Sequence, residues 1–217
     1  MVRQPVHPML WTMAAVMAAI QLGMSLAEQG LAPLIFGPVW VYTLLAFFDP
    51  LFELARNGGP IEPQLIWSFV THAFAHGGWM HLGLNAAVFL SLGHAMTRIA
   101  GIGTTLICFF ACAVAGALFF AVIADFSGPL VGASGAVFGM IGMLTAWEEQ
   151  ALRRQNRSRQ VVWTRVFALA AINIVMAIGF GEIGGALAWE AHLGGFVAGW
   201  LLAYPLQPRV TLHARGF

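Results

Sequence analysis

The sequence predicts an all-α membrane protein with six spanning helices, and three observations predict it. The 217 residues are 59% hydrophobic and 9% charged, with a mean hydropathy of +0.80; an average soluble domain carries roughly 25% charge. Six apolar stretches recur, near 9–27, 79–99, 102–124, 133–147, 162–180 and 191–204, approaching the roughly 20 residues that a crossing helix needs. The arginines fall on alternate connections, as they do in chains whose spans reverse direction.

The first stretch, Met9–Ala27, follows Arg3 as a secretory signal would. It is long for that role and has no convincing small-x-small cleavage site before Glu28, so it reads as a retained span. Leu31–Gly78 holds Pro, Gly and the aromatics Trp40, Tyr42, Phe47, Phe48 and Phe52. It contains no clean spanning helix and reads as a long, partly interfacial loop. The second stretch, Trp79–Ile99, carries His81 and Asn85 near its start. The third, Ile102–Ala124, holds Cys108 and Cys112, whose spacing on one helix is poor for a disulfide. They read as small membrane-helix residues. The fourth begins at Gly132-Ala133-Ser134-Gly135, and the sixth at Ala191-His192-Leu193-Gly194-Gly195. Residues 1–217 are expected to form one membrane domain, with tails at about 1–8 and 205–217.

Charge placement orients the spans. With the N-terminus cytoplasmic, Arg3, Arg98, Arg153, Arg154, Arg157, Arg159, Arg209 and Arg215 lie inside and Arg165 lies near that face. Outside lie Arg56 and the acids Asp49, Glu53, Glu62, Asp125, Glu182 and Glu190. The opposite orientation would violate the positive-inside rule. The second, fourth and sixth spans then run in one direction, which brings His81, Asn85, Ser134 and His192 to one depth. Ser134 to Trp147 is 13 steps and His192 to Tyr204 is 12, about 20 and 18 Å at 1.5 Å per residue. Against an apolar core of about 30 Å, both helix heads are expected below the outer surface. Loose backbone there requires water or protein around it.

A lone serine in a membrane helix is ordinarily a packing residue. Here Ser134 opens a helix, where N–H groups lack intrahelical partners and the dipole favours an anion. An oxyanion formed by attack of Ser134 would meet donors already aimed at it. His192 is an ionisable group in a span, a functional candidate by default. Small-residue strips at Gly135, Gly139 and Gly142, and at Gly195 and Gly199, let the two helices approach closely. Phe138, one turn after Ser134, can stack on the imidazole. Glu190 falls on another face from His192, so the expected pair is a dyad. His81 and Asn85 share a face and can donate hydrogen bonds to an oxyanion, or serve as interhelical glue. His72 and His76 have a metal-ligand spacing, but carboxylate or thiolate partners are lacking and no metal is expected. His76 is assigned to bracing the loop or assisting the oxyanion site. His94 has no evident partner, and the arginine run 153–159 reads as a topogenic loop.

Three segments together, Thr71-His72-Ala73-Phe74-Ala75-His76-Gly77-Gly78-Trp79-Met80-His81-Leu82-Gly83-Leu84-Asn85, Gly132–Gly135 and Ala191–Gly195 with Gly199, make the chain resemble rhomboid intramembrane serine proteases over nearly its full length. The resemblance implies Ser134 as nucleophile, His192 as general base, and Asn85, His81 and the Ser134 N–H as the oxyanion hole, with Phe138 stacked on the histidine. It implies a six-helix bundle with a water-filled cavity open to the outside. It further implies single-span membrane-protein substrates, cut in or near the span, usually after a small residue and ahead of helix-weakening ones. These would enter beside the fifth helix, under Phe180-Gly181-Glu182-Ile183-Gly184-Gly185. Many members carry Trp-Arg in the first loop, where this chain has Trp67-Ser68, so loop anchoring is expected to differ. No cofactor and no nucleic acid is implied. The small size and the lack of a presequence fit a bacterial inner membrane. The competing readings are a proteolytically silent rhomboid-like protein that binds membrane clients, and a small transporter or metal-handling protein using His72, His76 and His81.

Overall fold

The structure is a computed structural model that describes residues 5–124, 128–181 and 188–209. Its helices are α1 (Pro8–Glu28), the short α2 (Pro38–Leu45), α3 (Asp49–Arg56) and α4 (Pro63–Thr71), then α5 (Trp79–Ala100), α6 (Ile102–Ile123), α7 (Ser134–Arg154), α8 (Gln160–Gly181) and α9 (Trp189–Leu202). The six long ones are the six expected spans. α1 and α6 are long and apolar enough to cross a membrane by composition alone. α9, with 14 residues, is shorter than such a helix, and Gln160–Val175 of α8 is a shorter apolar stretch. Arg3, Asp125, Glu182 and Arg215, and most of the expected entry loop (Glu182-Ile183-Gly184-Gly185), lie outside the described residues.

Local chemistry explains the boundaries. The four helices α1 to α4 each carry proline in the first turn, where its missing N–H costs nothing. His7 caps α1, its Nδ1 accepting from Met9 N–H at 3.2 Å. A single residue, Gly101, separates α5 from α6 at φ +88°, a conformation side chains disfavour.

One expectation is corrected. The fourth span does not end at Trp147 but runs to Arg154. Glu148, Glu149, Gln150 and the arginines break the apolar run yet are good helix formers, and the basic residues suit the C-terminal dipole. Glu149 pairs with Arg159 at 2.6 Å and Glu148 with Arg165 at 2.8 Å, tying α8 to the end of α7. α9 is short, with 14 residues, as the depth estimate assumes, whereas α7, with 21, is longer than it assumes. The loop 31–78 holds no helix of spanning length, as expected, and folds into the short helices α2 to α4. Phe47 is buried and packs on Phe69 and Phe120, with ring centroids 4.9 and 6.4 Å apart. A strand β1 (Phe47–Phe48) pairs antiparallel with β2 (Pro129–Leu130), Phe47 opposite Leu130. Trp40 and Trp67 stay exposed, as interfacial aromatics do. Trp67 Nε1 donates to Leu44 O at 2.7 Å, and the buried Ser68 hydroxyl turns back to Leu65 O at 2.8 Å.

The core forms where α6, α7 and α9 meet, around Phe109, Cys112, Met140, Met143 and Trp147. Cys108 and Cys112 are thiols with sulfurs 3.9 Å apart. α7 and α9 touch backbone to backbone. A Cβ on Gly195 would collide with the carbonyl oxygen of Gly135, one on Gly199 with that of Gly139, and one on Gly142 with that of Phe196. The predicted glycine strips are thus the contact surface. α8 is peripheral, with Phe167, Ile172, Ile174, Val175 and Ile178 exposed as a lipid-facing side requires.

Candidate active site

Ser134 is the first residue of α7. The chain reaches it through β2 and Gly132, whose N–H donates to His72 O at 2.9 Å and whose φ of +113° excludes ordinary side chains. The α7 ladder opens with Val137 N–H to Ala133 O at 2.9 Å, so the N–H groups of Ser134, Gly135 and Ala136 stand ahead of it at the positive end of the dipole. His192 lies in the first turn of α9 and is 5% exposed.

The two meet as the sequence predicts. His192 Nε2 lies 2.8 Å from Ser134 Oγ. Phe138 stacks on the imidazole at 4.3 Å between centroids and 3° between planes. Gly135 and Gly195, one position after Ser134 and three after His192, are the closest approach of the two helices at this level.

Sequence reasoning missed a third contact. Asn173 Oδ1 on α8 lies 2.8 Å from His192 Nδ1. A signal was available: Asn173 is the only polar side chain between Arg165 and Gly181, and polar groups within spans are rarely idle. Its distance in sequence from Ser134 and His192 hid the contact. Asn173 and His192 border an apolar cavity of about 230 Å³ between α7, α8 and α9, shared with Phe138, Leu169, Trp189 and Leu193.

His81 and Asn85 lie beside the backbone leading to Ser134. A Cβ at Gly132 would stand 2.7 Å from His81 Nε2 and 3.7 Å from Asn85 Nδ2. His81 Nδ1 accepts from Gly77 N–H at 3.3 Å, which in the neutral ring places the proton on Nε2, facing Gly132. Asn85 is buried, and its amide donates to His81 O at 3.1 Å. That uses one of two N–H groups.

His76 is 1% exposed, with its ring edge-on to His81 at 5.2 Å. Its ring nitrogens find no partner among the described residues, while its carbonyl accepts from Tyr42 O–H at 3.1 Å. Burial, reinforced by His81, pushes the His76 pKa down to about 4. Burial likewise lowers His72 to about 4, against a weaker opposing hydrogen bond between its Nδ1 and Ser68 O at 2.8 Å. Among the described residues, no group of three His, Cys, Asp or Glu is placed to hold a metal ion.

Fold and site together define a polytopic α-helical membrane protein with a serine and a histidine in contact between two helix heads. A sequence model of the Rhomboid domain matches residues 63–209. The chain is 29% identical over 186 residues to the rhomboid protease GluP of Bacillus subtilis, covering 78% of this chain and 35% of that protein. It is 30% identical over 151 residues to rhomboid-like protease 5 of Toxoplasma gondii, covering 69% of this chain and 16% of that protein. It is 28% identical over 154 residues to rhomboid-like protease 1 of the same organism, covering 69% and 50%. The chain thus spans half or less of the length of these relatives. It belongs to the rhomboid family of intramembrane proteases, whose members are integral membrane proteins.

Proposed function

We propose that this chain is an intramembrane serine endopeptidase that hydrolyses peptide bonds in or near the transmembrane segment of single-span membrane proteins. The observation that carries this reading is the 2.8 Å contact between Ser134 Oγ and His192 Nε2. In the proposed reaction Ser134 Oγ attacks the scissile carbonyl carbon as its proton passes to His192 Nε2. The carbonyl oxygen becomes an oxyanion, stabilised by the Ser134 N–H, the second N–H of Asn85 and His81 Nε2–H. Collapse breaks the C–N bond, and His192 returns the proton to the leaving amine. Water, deprotonated by the same imidazole, then attacks the acyl carbon; the bond to Ser134 Oγ breaks and His192 returns the proton to that oxygen.

Residues 1–217 act as one unit in this reading. Support comes from Leu10, Met13 and Met17 of α1, which pack into the core shared by α5, α6 and α7. A cytoplasmic location for both termini rests on the arginines. Arg209 N–H donates to Ile99 O at 2.8 Å, which gathers Arg98 and Arg209 at one end. By the alternation of the helices, that is the end of the α7–α8 connection, with Arg153, Arg154, Arg157 and Arg159. The site then opens to the opposite, outer side.

The test is cleavage of a reporter with one transmembrane segment by wild type, Ser134→Ala and His192→Ala. Product from wild type alone is expected; equal product from all three overturns the reading.

A further inference from the structure

His192 has a partner on each ring nitrogen, and the dyad uses only one of them. The other, Asn173, stands on α8 between Ile172 and Ile174, whose side chains are exposed on the lipid side, while its own amide turns inward to the cavity beside His192. Stacking on Phe138 fixes the tilt of the imidazole, but a flat face gives no direction within its own plane. The Nδ1 contact supplies that direction. A side-chain carbonyl oxygen only accepts, so the proton must sit on Nδ1, leaving the Nε2 lone pair toward Ser134 Oγ. This is the tautomer a general base requires.

We propose that Asn173 is the positioning residue of His192: from α8 it holds the imidazole in the Nδ1–H tautomer and aims Nε2 at Ser134. This rests on the serine-protease reading above. Asn173 does the orienting work that a carboxylate or an asparagine does in soluble triads, and as a neutral group it places no charge in the apolar interior. The dyad is thereby braced from a third helix, α8.

The test uses the purified full chain in liposomes. A soluble fluorophosphonate reports Ser134 reactivity without a transmembrane substrate, reporter cleavage yields kcat and KM, and ¹⁵N spectra of labelled histidine report the tautomer. For Asn173→Leu, labelling rate and kcat are expected to fall on the order of 10–100-fold with KM changed less than about twofold, and the His192 signal is expected to lose its Nδ1–H character. Asn173→Asp, whose oxygen can accept the same bond, restores labelling. Wild-type labelling rates in Asn173→Leu, or a cleavage loss with labelling unchanged, overturn the positioning role. So does an Nε2–H tautomer in the wild type, which needs no variant to fold. Absence of Ser134 labelling in the wild type overturns the protease reading instead.

Discussion

Gly195→Ala separates helix packing from every direct chemical role, because the added methyl touches no reacting atom. Its Cβ would lie well inside van der Waals contact with the Gly135 carbonyl oxygen, and neither partner can swing away because both are helix backbone. The α7–α9 gap must widen by about 1 Å or more at this level to restore contact. Overpacking of this kind costs about 1–3 kcal/mol. Widening also acts on the pair beside it: the 2.8 Å contact between Ser134 and His192 passes beyond hydrogen-bond range at about 3.6 Å. A displacement of 1 Å at reacting groups is worth about 100-fold in rate. Reporter cleavage by Gly195→Ala should therefore drop on the order of 100-fold, with a lowered Tm. Gly103→Ala is the control, since its Cβ meets nothing within 4 Å. Replacing an exposed helical glycine by alanine gains about 0.5–1 kcal/mol, so that variant should keep its activity and gain slightly in Tm. Equal activity and Tm in Gly195→Ala and wild type would refute the close-packing argument.

Further outcomes follow from the same geometry. Phe138→Leu removes the stacked ring, worth about 0.5–1.5 kcal/mol, so kcat should fall by roughly 2–13-fold while Phe138→Tyr stays near wild type; steady-state kinetics check both. Asn85→Ala removes one proposed oxyanion donor, worth about 2.7–4 kcal/mol; kcat should fall on the order of 100–1,000-fold with the fold intact, and unaltered turnover would take Asn85 out of the oxyanion hole. His72 and His76 are buried neutral with pKa values of about 4, below the 6.5 of the unfolded chain. Between those values the unfolded state binds more protons, so stability falls as pH drops from 6.5 to 4, by on the order of 3 kcal/mol for each histidine. Thermal unfolding from pH 7 to 4 should show this slope, and His76→Phe should reduce it by about half, leaving the part due to His72.

The six spans, the Ser134–His192 pair, the Phe138 stack and the glycine strips were legible because each depends on local pattern: apolar length, a hydroxyl at a helix start, small residues at helical spacing. The end of α7 was obscured because hydropathy stops at Trp147 while helix propensity continues to Arg154. The short helices of the first loop were marked by Pro38, Pro50 and Pro63, but the aromatics around them read equally well as interfacial anchors. The β1–β2 pairing joins Phe47 to Leu130, and no local signal reports a contact so distant in sequence. Asn173 is a lone amide in an apolar run that the sequence reading passed over; its bond to His192 emerges only when α8 is placed against α9.

The most direct test of the central claim, that His192 activates Ser134, is the site of covalent modification by a fluorophosphonate, mapped by mass spectrometry in membranes. An adduct on Ser134 is expected in the wild type, and its loss in His192→Ala. An adduct on another residue, or equal labelling of Ser134 in both proteins, would contradict it.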